Sequence, residues 1–307
     1  NIIIIKLFTI INNKTRNIIN KKGILTMILS SILIVIGFVL LIVGADLLVD
    51  GASGIAKNFH IPEIIIGLTI VSIGTSMPEL FVSITSALDG YSDMAIGNIV
   101  GSNLSNLLLI LGLSATIKPV FFQKETRIYE IPMCLFVTGL LMYFCNTGTG
   151  ISRQEAIILL ILFCVFIGYT IYMGKRESKK EVVELQVIDK NNKFIKDIVL
   201  IAIGIMGLKV GGDLTVNNAV DIANYFNLSE KLISLTILAV GTSLPELVTS
   251  VTAAIKGNSD IAIGNIIGSN IFNILLIIGT SAFITPITYN ITSVSYTHLR
   301  AHETGAY

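Results

Sequence analysis

The sequence predicts an all-α integral membrane protein built from inverted-topology repeats of five transmembrane helices each, with the second repeat truncated after three helices. Three observations support this fold class: the composition, a series of long apolar stretches, and an internal repeat at a constant offset. Of the 307 residues, 53% are apolar and 13% are charged. The mean hydropathy of +0.81 exceeds what a soluble domain with a polar surface carries. The composition therefore favours a chain embedded in a bilayer.

Long apolar stretches recur along the chain. A helix of about 18 to 20 apolar residues crosses the roughly 30 Å hydrocarbon core of a bilayer. On this basis we predict eight spans, near residues 28–50, 62–88, 95–117, 129–146, 152–173, 197–220, 231–255 and 262–285. Three cysteines fall inside these spans without metal-ligand spacing, which is typical of small apolar residues.

The distribution of Lys and Arg predicts the orientation. Alternating the loops across eight spans places 12 of them on one side and two, Arg153 and Lys231, on the other. Cytoplasmic loops carry the excess of positive charge. We therefore expect a multi-pass protein of the cell membrane with its N-terminus outside and the linker loop 174–196 in the cytoplasm.

The first 26 residues do not fit this orientation. They add five positive charges to the outer side and lack an initiator Met. We interpret residues 1–26 as a non-native upstream segment before a start at Met27. The net charge of +1, without a basic stripe, argues against a nucleic-acid partner. Nothing in the sequence indicates an obligate protein partner.

A shift of 167 residues aligns the most unusual stretches of the chain without a gap. GADLLVDGA falls on GGDLTVNNA, and GTSMPEL falls on GTSLPEL. AIGNIVGSNLSNLLLI at 95–110 matches AIGNIIGSNIFNILLI at 262–277 at 12 of 16 positions. Five spans separate equivalent points, and an odd number means that the two copies enter the membrane from opposite sides. This is the inverted repeat of secondary transporters, in which the binding site lies near the midplane.

The repeat also defines the domains. We predict a first five-helix repeat at 27–173 and a second repeat at 197–290, joined by the linker 174–196. The second copy has three spans before the chain becomes polar. We expect residues 291–307 to be a foreign or disordered tail, and the truncated chain to fold poorly or to transport weakly.

Two glutamates, Glu79 and Glu246, occupy equivalent positions in the GTSxPEL motifs. A carboxylate buried in a membrane is costly unless it is neutralised, paired or bound to a cation. Apart from Lys231 at the very start of its span, the four helices that carry the repeated motifs contain no His, Lys or Arg. Pro78 and Pro245 each remove a helix N–H and free backbone oxygens about four residues earlier. A cation is therefore the partner that these motifs predict.

Neutral oxygen donors surround the two glutamates in the sequence. Carboxylates, hydroxyls, amides and carbonyls together suit a hard cation with roughly six to eight ligands, hence Ca²⁺, and they can also hold Na⁺. Two fixed charges balance one Ca²⁺ or two monovalent ions, so the two kinds of ion exclude one another. Close helix packing is the better explanation of the motif glycines Gly97, Gly101, Gly264 and Gly268. Asp46 and Asp213, late in the first helix of each repeat, fit either a helix-end or helix-contact role or a place on the ion path. Lys209 precedes Asp213 by four residues, so a local ion pair would explain both of these side chains.

The paired GTSMPEL and GTSLPEL, each followed by AIGN, GSN and a further Asn, resemble the two alpha-repeats of the cation/Ca²⁺ antiporter superfamily, most closely the prokaryotic sodium/calcium exchangers. The resemblance covers roughly residues 28 to 287. It implies that both glutamates ligate Ca²⁺, that Thr and Ser of the motifs bind Na⁺ and Ca²⁺, and that two carbonyls complete the sites. The ligand positions it implies are Glu79, Glu246, Thr75, Thr242, Ser76, Ser243, Ser102, Ser269, Asn106, Asn273, Ser72 and Ala239.

One departure from the family pattern lies at Asn273, where several relatives carry Asp. The resemblance then implies two possible carboxylates in place of three, and no potassium dependence. It also implies alternating access, in which the first and sixth helices slide against a fixed pocket.

The function that we expect is exchange of Na⁺ for Ca²⁺, with the ions as substrates, no cofactor and no enzymatic activity. A Ca²⁺/H⁺ antiporter of the same superfamily is the alternative, with the glutamates carrying protons. A passive cation channel fits the inverted duplication less well. An intramembrane hydrolase using Ser76 or Ser243 lacks a His or Lys base.

Overall fold

The structure is a computed structural model, and it describes residues 2–90, 92–119, 122–146, 150–178, 190–226, 228 and 239–288. The chain is almost entirely helical. In the first half, helix α1 spans Ile2–Phe59, α2 spans Glu63–Thr75 and α3 spans Met77–Leu88. Helix α4 runs through Ser92–Ser105, Asn106–Ile110 and Leu111–Ile117, α5 spans Thr126–Asn146, and α6 spans Arg153–Ser178.

The second half repeats this order. Helix α7 spans Lys190–Tyr225, α8 is a short turn at Ala239–Gly241, α9 spans Leu244–Lys256 and α10 spans Ser259–Ile284. Two short strands, β1 (Gly150–Ile151) and β2 (Ile287–Thr288), pair antiparallel. They join the loop after α5 to the segment after α10.

Within the described part of the chain, five helices are long and apolar enough to cross a membrane, namely α1, α4, α5, α6 and α10, and the bent pair α2–α3 makes a sixth. The predicted span at 197–220 lies inside α7. The predicted span at 231–255 is described only from residue 239 onward. The spans near 28–50 and 197–220 were predicted too short, because α1 and α7 continue as helix beyond the apolar core.

The linker predicted at 174–196 is partly helical. Helix α6 continues to Ser178 and α7 begins at Lys190. Residues 179–189 and the predicted tail at 291–307 lie outside the described residues. Lys175 and Arg176 lie in the last turn of α6, where positive charge is favourable beside the helix carbonyls. A span of apolar residues therefore underestimates the length of a helix whose ends leave the bilayer.

Helices α1 and α7 pack against each other through facing glycines. A Cβ at Gly44 would lie 2.9 Å from the carbonyl oxygen of Gly204, and one at Gly204 would lie 2.7 Å from that of Gly44. The second pair, Gly37 and Gly211, shows the corresponding distances of 2.8 and 2.7 Å. The residue number increases from Gly37 to Gly44 along α1 while that of the contacting glycine decreases from Gly211 to Gly204, so the two helices are antiparallel. Adding 167 to the first member of one pair produces a member of the other, so the repeat symmetry relates the two contacts.

Helix α10 lies at the centre of the molecule. Of its apolar membrane-crossing segment, 94% is buried. Gly264 and Gly268 pack directly on the backbone of α2 around Leu68, in agreement with the predicted close packing. No described atom lies within 4 Å of a Cβ placed at Gly97 or Gly101. The repeat equivalents of the α2 residues that pack on α10, at 231–235, lie outside the described residues, so close packing at these two glycines stays a prediction. The close approach of α2 and α10 brings the polar motifs of the two repeats together.

Candidate ion-binding site

Both GTSxPEL motifs interrupt a helix at the same place. Helix α2 ends at Thr75, α3 begins at Met77, and the two axes are bent by 48°. The residue at the break, Ser76, has φ −83° and ψ 7°, and Ser243 has φ −86° and ψ 4°. Proline occupies the second position of each following helix, where its missing N–H has no helical acceptor to lose. The motif therefore turns a membrane helix into two shorter ones at the predicted position.

The breaks place Glu79 and Glu246 in the first turn of α3 and α9. Both side chains are 0% exposed. Ser102 donates to Glu79 Oε1 at 3.3 Å, and Ser76 donates to Glu246 Oε1 at 2.9 Å. The second oxygen of each carboxylate, Oε2, is buried without a partner among the described residues. An unpaired buried oxygen of a charged group costs roughly 1 to 3 kcal/mol or more, and a cation would remove that cost.

The hydroxyl of Ser102 connects the two repeats. It accepts from Ser243 Oγ at 3.2 Å and from Asn273 Nδ2 at 3.3 Å, while it donates its hydrogen to Glu79. A hydroxyl has one hydrogen and two lone pairs, so all three are in use. The equivalent Ser269 Oγ is buried and has no partner among the described residues. A cation that takes Ser102 as a ligand must therefore displace Ser243 or Asn273 from it.

The central amides cross between the repeats in a symmetric pattern. Asn106 Nδ2 donates to Asn270 Oδ1 at 3.1 Å, and Asn273 Nδ2 donates to Asn103 Oδ1 at 2.9 Å. Both side chains are fully buried, and the Oδ1 atoms of Asn106 and Asn273 have no partner among the described residues. A free amide oxygen is a suitable ligand for a hard cation.

A short π-helical segment begins at each central amide, at Asn106–Ile110 in α4 and at Asn273–Ile278 in α10. Such segments are common at functional sites, because the wider turn changes the backbone hydrogen bonding and the direction of the side chains that follow. The apolar periodicity of the sequence did not reveal them.

The remaining predicted ligand residues differ in their burial and in their hydrogen bonds. Thr75, Ser76 and Ser243 lie buried around the glutamates, and Thr242 is half-buried. The carbonyl of Ser72 accepts from Ser76 N at 3.0 Å, so it is already engaged within α2, and the Thr75 hydroxyl lies 3.4 Å from it. Ala239 lies at the first residue of α8.

Four asparagines with contacts to predicted ligands were missed. Asn103 and Asn270 bind the central amides, and Asn98 and Asn265 bind the motif threonines. All four stand in the repeated GN and GSN motifs. Their repetition at the offset of 167 residues was the signal that could have identified them.

The two faces of the pocket differ. A cleft of about 240 Å³ between α3, α7 and α9 reaches Thr242, and Val216 and Asn217 line it. At the equivalent positions on the other face, Val49 and Thr75 are 0% exposed. Access to the pocket is therefore open on one face and closed on its symmetric counterpart.

Charged side chains on α1, α7 and α9 follow the same asymmetry. Lys256 Nζ lies 2.6 Å from both Asp46 Oδ1 and Asp50 Oδ1 and so ties α9 to α1 on the closed face. Partial burial lowers the pKa of Lys256, but its hydrogen bonds to the two aspartates and their negative charges together raise it by more. The pKa is therefore raised overall. At the open cleft, Asp213 pairs with Lys209 on its own helix at 3.0 Å, which confirms the predicted local pair. Ion pairs therefore connect two helices on the closed face, whereas the ion pair at the open cleft lies within one helix.

Among the described residues, no three His, Cys, Asp or Glu side chains come together as a metal cluster. The pocket instead has two carboxylates and a shell of neutral oxygens within a bundle of membrane helices. Together, the fold and the pocket are those of a membrane transport protein with a candidate cation site between its two repeats.

Comparison with known proteins identifies the family. The family model of the sodium/calcium exchanger protein matches residues 29–172 and 196–302. The chain belongs to this family of transporters. Membership of the family indicates cation/Ca²⁺ antiport as the class of function.

Individual relatives agree with this assignment. The chain is 37% identical over 265 residues to the inner membrane protein YrbG of Escherichia coli, covering 85% of this chain and 81% of YrbG. It is 32% identical over 281 residues to the sodium/calcium exchanger MaX1 of Methanosarcina acetivorans, covering 80% of each. A solved structure of the sodium-calcium exchanger NCX_Mj, soaked with Na⁺ and Sr²⁺, superposes with a TM-score of 0.76 at 32% identity, covering 88% of this chain and 86% of that one.

Proposed function

We propose that this protein exchanges Na⁺ for Ca²⁺ by alternating access at the pocket between the two repeats. The observation that carries the proposal is the pair of fully buried glutamates, Glu79 and Glu246, each with one oxygen that no described residue satisfies. A buried anion of this kind needs a cation or a proton. The surrounding hydroxyl and amide oxygens favour a metal cation over a proton, because a proton needs no such shell.

The roles of the residues follow from their positions. The two glutamates would bind Ca²⁺ directly and supply the fixed charge, which one Ca²⁺ or two Na⁺ balance. Neutral donors from both repeats would replace the hydration shells of the ions. These donors are the hydroxyls of Thr75, Ser76, Ser102, Thr242, Ser243 and Ser269, the amide oxygens of Asn106 and Asn273, and the carbonyls of Ser72 and Ala239. Competition of Na⁺ and Ca²⁺ for one set of oxygens links their movements.

Alternating access would use the asymmetry of the two faces. In this state the cleft beside Val216 leads to the pocket, while the equivalent path beside Val49 is closed. Movement of α1 and α7 relative to the pocket would reverse this arrangement. At the facing glycines the backbones of the two helices are in contact without intervening side chains, and such a smooth surface suits a sliding contact.

We also propose that the closed face is cytoplasmic. Lys256 lies on that face, and the count of Lys and Arg assigns its side of the membrane to the cytoplasm. A cysteine in place of Lys175, in a variant with Cys164 replaced by Ser, tests the orientation. An impermeant maleimide should label it in permeabilised but not in intact cells. Labelling in intact cells would overturn the proposed orientation.

A Ca²⁺/H⁺ antiporter is the second candidate, since the same buried glutamates would carry protons in exchange. The decisive experiment is ⁴⁵Ca²⁺ uptake into proteoliposomes that contain the chain. The vesicles are loaded with Na⁺ or with choline, with and without a pH gradient. Uptake that requires internal Na⁺ is the expected result.

The control variants separate the pocket from other buried carboxylates. Glu79→Gln should abolish uptake, because it removes half of the fixed charge. Glu130→Gln should retain it. Glu130 is also buried with its Oε2 unpartnered among the described residues, but it bonds to Tyr169 in the α5–α6 region, outside the repeated motifs. Uptake driven by the pH gradient alone would assign the protein to Ca²⁺/H⁺ exchange. Uptake without any counter-ion would contradict antiport altogether.

A further inference from the structure

Two asparagines outside the predicted ligand set, the buried Asn265 and the half-buried Asn98, link the repeats through the motif threonines. Thr75 Oγ1 donates to Asn265 Oδ1 at 3.0 Å, and Thr242 Oγ1 donates to Asn98 Oδ1 at 3.4 Å. In each case the threonine belongs to the broken helix of one repeat and the asparagine to the helix with the GSN motif in the other. The 167-residue offset relates the two contacts.

A second bond orients each amide. Asn265 Nδ2 donates to Ser250 Oγ at 2.9 Å, and Asn98 Nδ2 donates to the equivalent Ser83 Oγ at 3.1 Å. Asn265 Nδ2 also lies 3.4 Å from the carbonyl oxygen of Glu246. A carbonyl can only accept, so the NH₂ group must face it and the amide oxygen must face Thr75. Asn265 is 0% exposed, so water does not compete for these bonds.

The direction of the threonine hydrogen matters for cation binding. A hydroxyl that binds a cation presents a lone pair to it and must direct its single hydrogen elsewhere. Thr75 Oγ1 lies 3.0 Å from Asn265 Oδ1 and 3.4 Å from the Ser72 carbonyl, and the Glu246 carboxylate is a third acceptor beside it. The shorter bond directs the hydrogen toward Asn265, away from its own helix. It also spares the Ser72 carbonyl a second donor.

We propose that Asn265 and Asn98 are positioning residues that hold the hydroxyls of Thr75 and Thr242 in the orientation required for cation binding. They act through the threonines and do not themselves contact the ion. This inference rests on the proposed cation site, and it holds whether Na⁺ or H⁺ is the counter-ion.

A double-mutant cycle tests the proposal. The variants are Asn265→Leu, which removes the acceptor at similar volume, Thr75→Val, which removes the hydroxyl, and the combination of the two. Equilibrium binding of ⁴⁵Ca²⁺ to the purified protein, without Na⁺ or a pH gradient, is the readout. Asn265→Leu should weaken binding about tenfold, the usual effect of one lost hydrogen bond of this type. Thr75→Val should weaken it at least as much, because it also removes a proposed ligand. The double variant should bind no more weakly than Thr75→Val alone, because the asparagine has no hydroxyl left to orient.

A matched control removes an inter-repeat asparagine far from the pocket. Asn58 Nδ2 donates to Asp197 Oδ2 at 2.6 Å between α1 and α7. Asn58→Leu should leave the Ca²⁺ affinity unchanged. If Asn265→Leu does not fold, Asn98→Leu with Thr242→Val repeats the cycle at the half-buried, more open face.

The outcomes separate this inference from the proposed function. Normal Ca²⁺ affinity in the asparagine variants, or losses that multiply in the double variant, would overturn the positioning role while leaving the exchanger intact. A wild-type protein that binds no Ca²⁺ would overturn the proposed function and the positioning role with it. Transport coupled to H⁺ would change the counter-ion and leave the result of the cycle standing.

Discussion

Ser76 donates a hydrogen bond of 2.9 Å to Glu246 Oε1, across 170 residues of sequence and between the two repeats. The hydroxyl at the break of one membrane helix therefore stabilises the carboxylate of the other. Its repeat equivalent, Ser243, instead contacts the hydroxyl of Ser102 at 3.2 Å. The two halves of the pocket have equivalent sequences, but their hydrogen bonds differ in this state of the molecule.

Ser76→Ala is expected to weaken equilibrium Ca²⁺ binding more than Ser243→Ala does. A hydrogen bond to a charged group contributes about 1.5 to 3 kcal/mol, compared with roughly 0.5 to 1.5 kcal/mol for a neutral pair. The expected losses of affinity are roughly 10- to 100-fold for Ser76→Ala and about tenfold or less for Ser243→Ala. Equal losses in ⁴⁵Ca²⁺ binding would show that the asymmetry does not persist in the state that binds Ca²⁺.

Asn273→Asp is expected to make Ca²⁺ binding strongly dependent on pH. The amide donates to Ser102 Oγ and to Asn103 Oδ1, and an ionised carboxylate can do neither. A third buried acid needs a proton or a cation, so protons and Ca²⁺ would compete for it. Affinity measured between about pH 6 and pH 8 should rise with pH more steeply than in the wild type.

The control for that variant is Asn146→Asp, which adds a carboxylate at the exposed end of α5. It should have the pH dependence of the wild type. An unchanged pH profile in Asn273→Asp would mean that the amide at this position lies outside the ion shell.

Lys256→Met is expected to loosen the closed face. The side chain bridges α9 to Asp46 and Asp50 on α1, and it is only 24% exposed. Its loss leaves two neighbouring carboxylates without their cation. A cysteine at Val49, in a background without the three native cysteines, should then react faster with a small polar thiol reagent.

Two comparisons make this test specific. Val216→Cys lines the open cleft and should react readily in either background. Lys209→Met breaks an exposed pair within one helix, so it should not change the reactivity of a cysteine at Val49. If Lys256→Met leaves that reactivity at its original rate, the ion pair does not keep the face closed.

Gly44→Ala is expected to destabilise the protein, whereas Gly139→Ala is not. The new methyl at Gly44 would lie 2.7 Å from the backbone nitrogen of Leu208, and a backbone atom cannot move aside. No described atom lies within 4 Å of a Cβ at Gly139, and alanine there favours the helix by about 1 kcal/mol. Thermal unfolding in detergent should show a lower midpoint for Gly44→Ala. Equal midpoints would mean that α1 and α7 can separate without loss of stability.

Much of the architecture could be predicted from particular residues. The apolar spans predicted most of the membrane helices, and the family comparison confirms the resemblance carried by the two GTSxPEL motifs. Pro78 predicted the break between α2 and α3, because a missing N–H acts on the backbone within a few residues. The Lys209–Asp213 pair was predictable for the same reason, since both side chains lie one turn apart on one helix.

Contacts between distant parts of the chain were not predictable in this way. The bond from Thr75 to Asn265 spans 190 residues, and no local pattern of Ile and Leu specifies it. The open and closed faces are also invisible in the sequence, because both repeats carry nearly the same motifs.

The sequence by itself determined that the chain lies in a membrane, that it contains the same motif twice in opposite senses, and that two glutamates need a positively charged partner. Only the tertiary structure decided which hydroxyl meets which carboxylate, which asparagines hold the threonines, and which face Lys256 closes. The physical reason is that periodicity, proline and buried charge act over a few residues. Hydrogen bonds between the repeats depend instead on how the two helical units pack against each other. Because the two repeats have nearly the same motifs, two equivalent packing arrangements can satisfy these bonds, and the sequence does not choose between them.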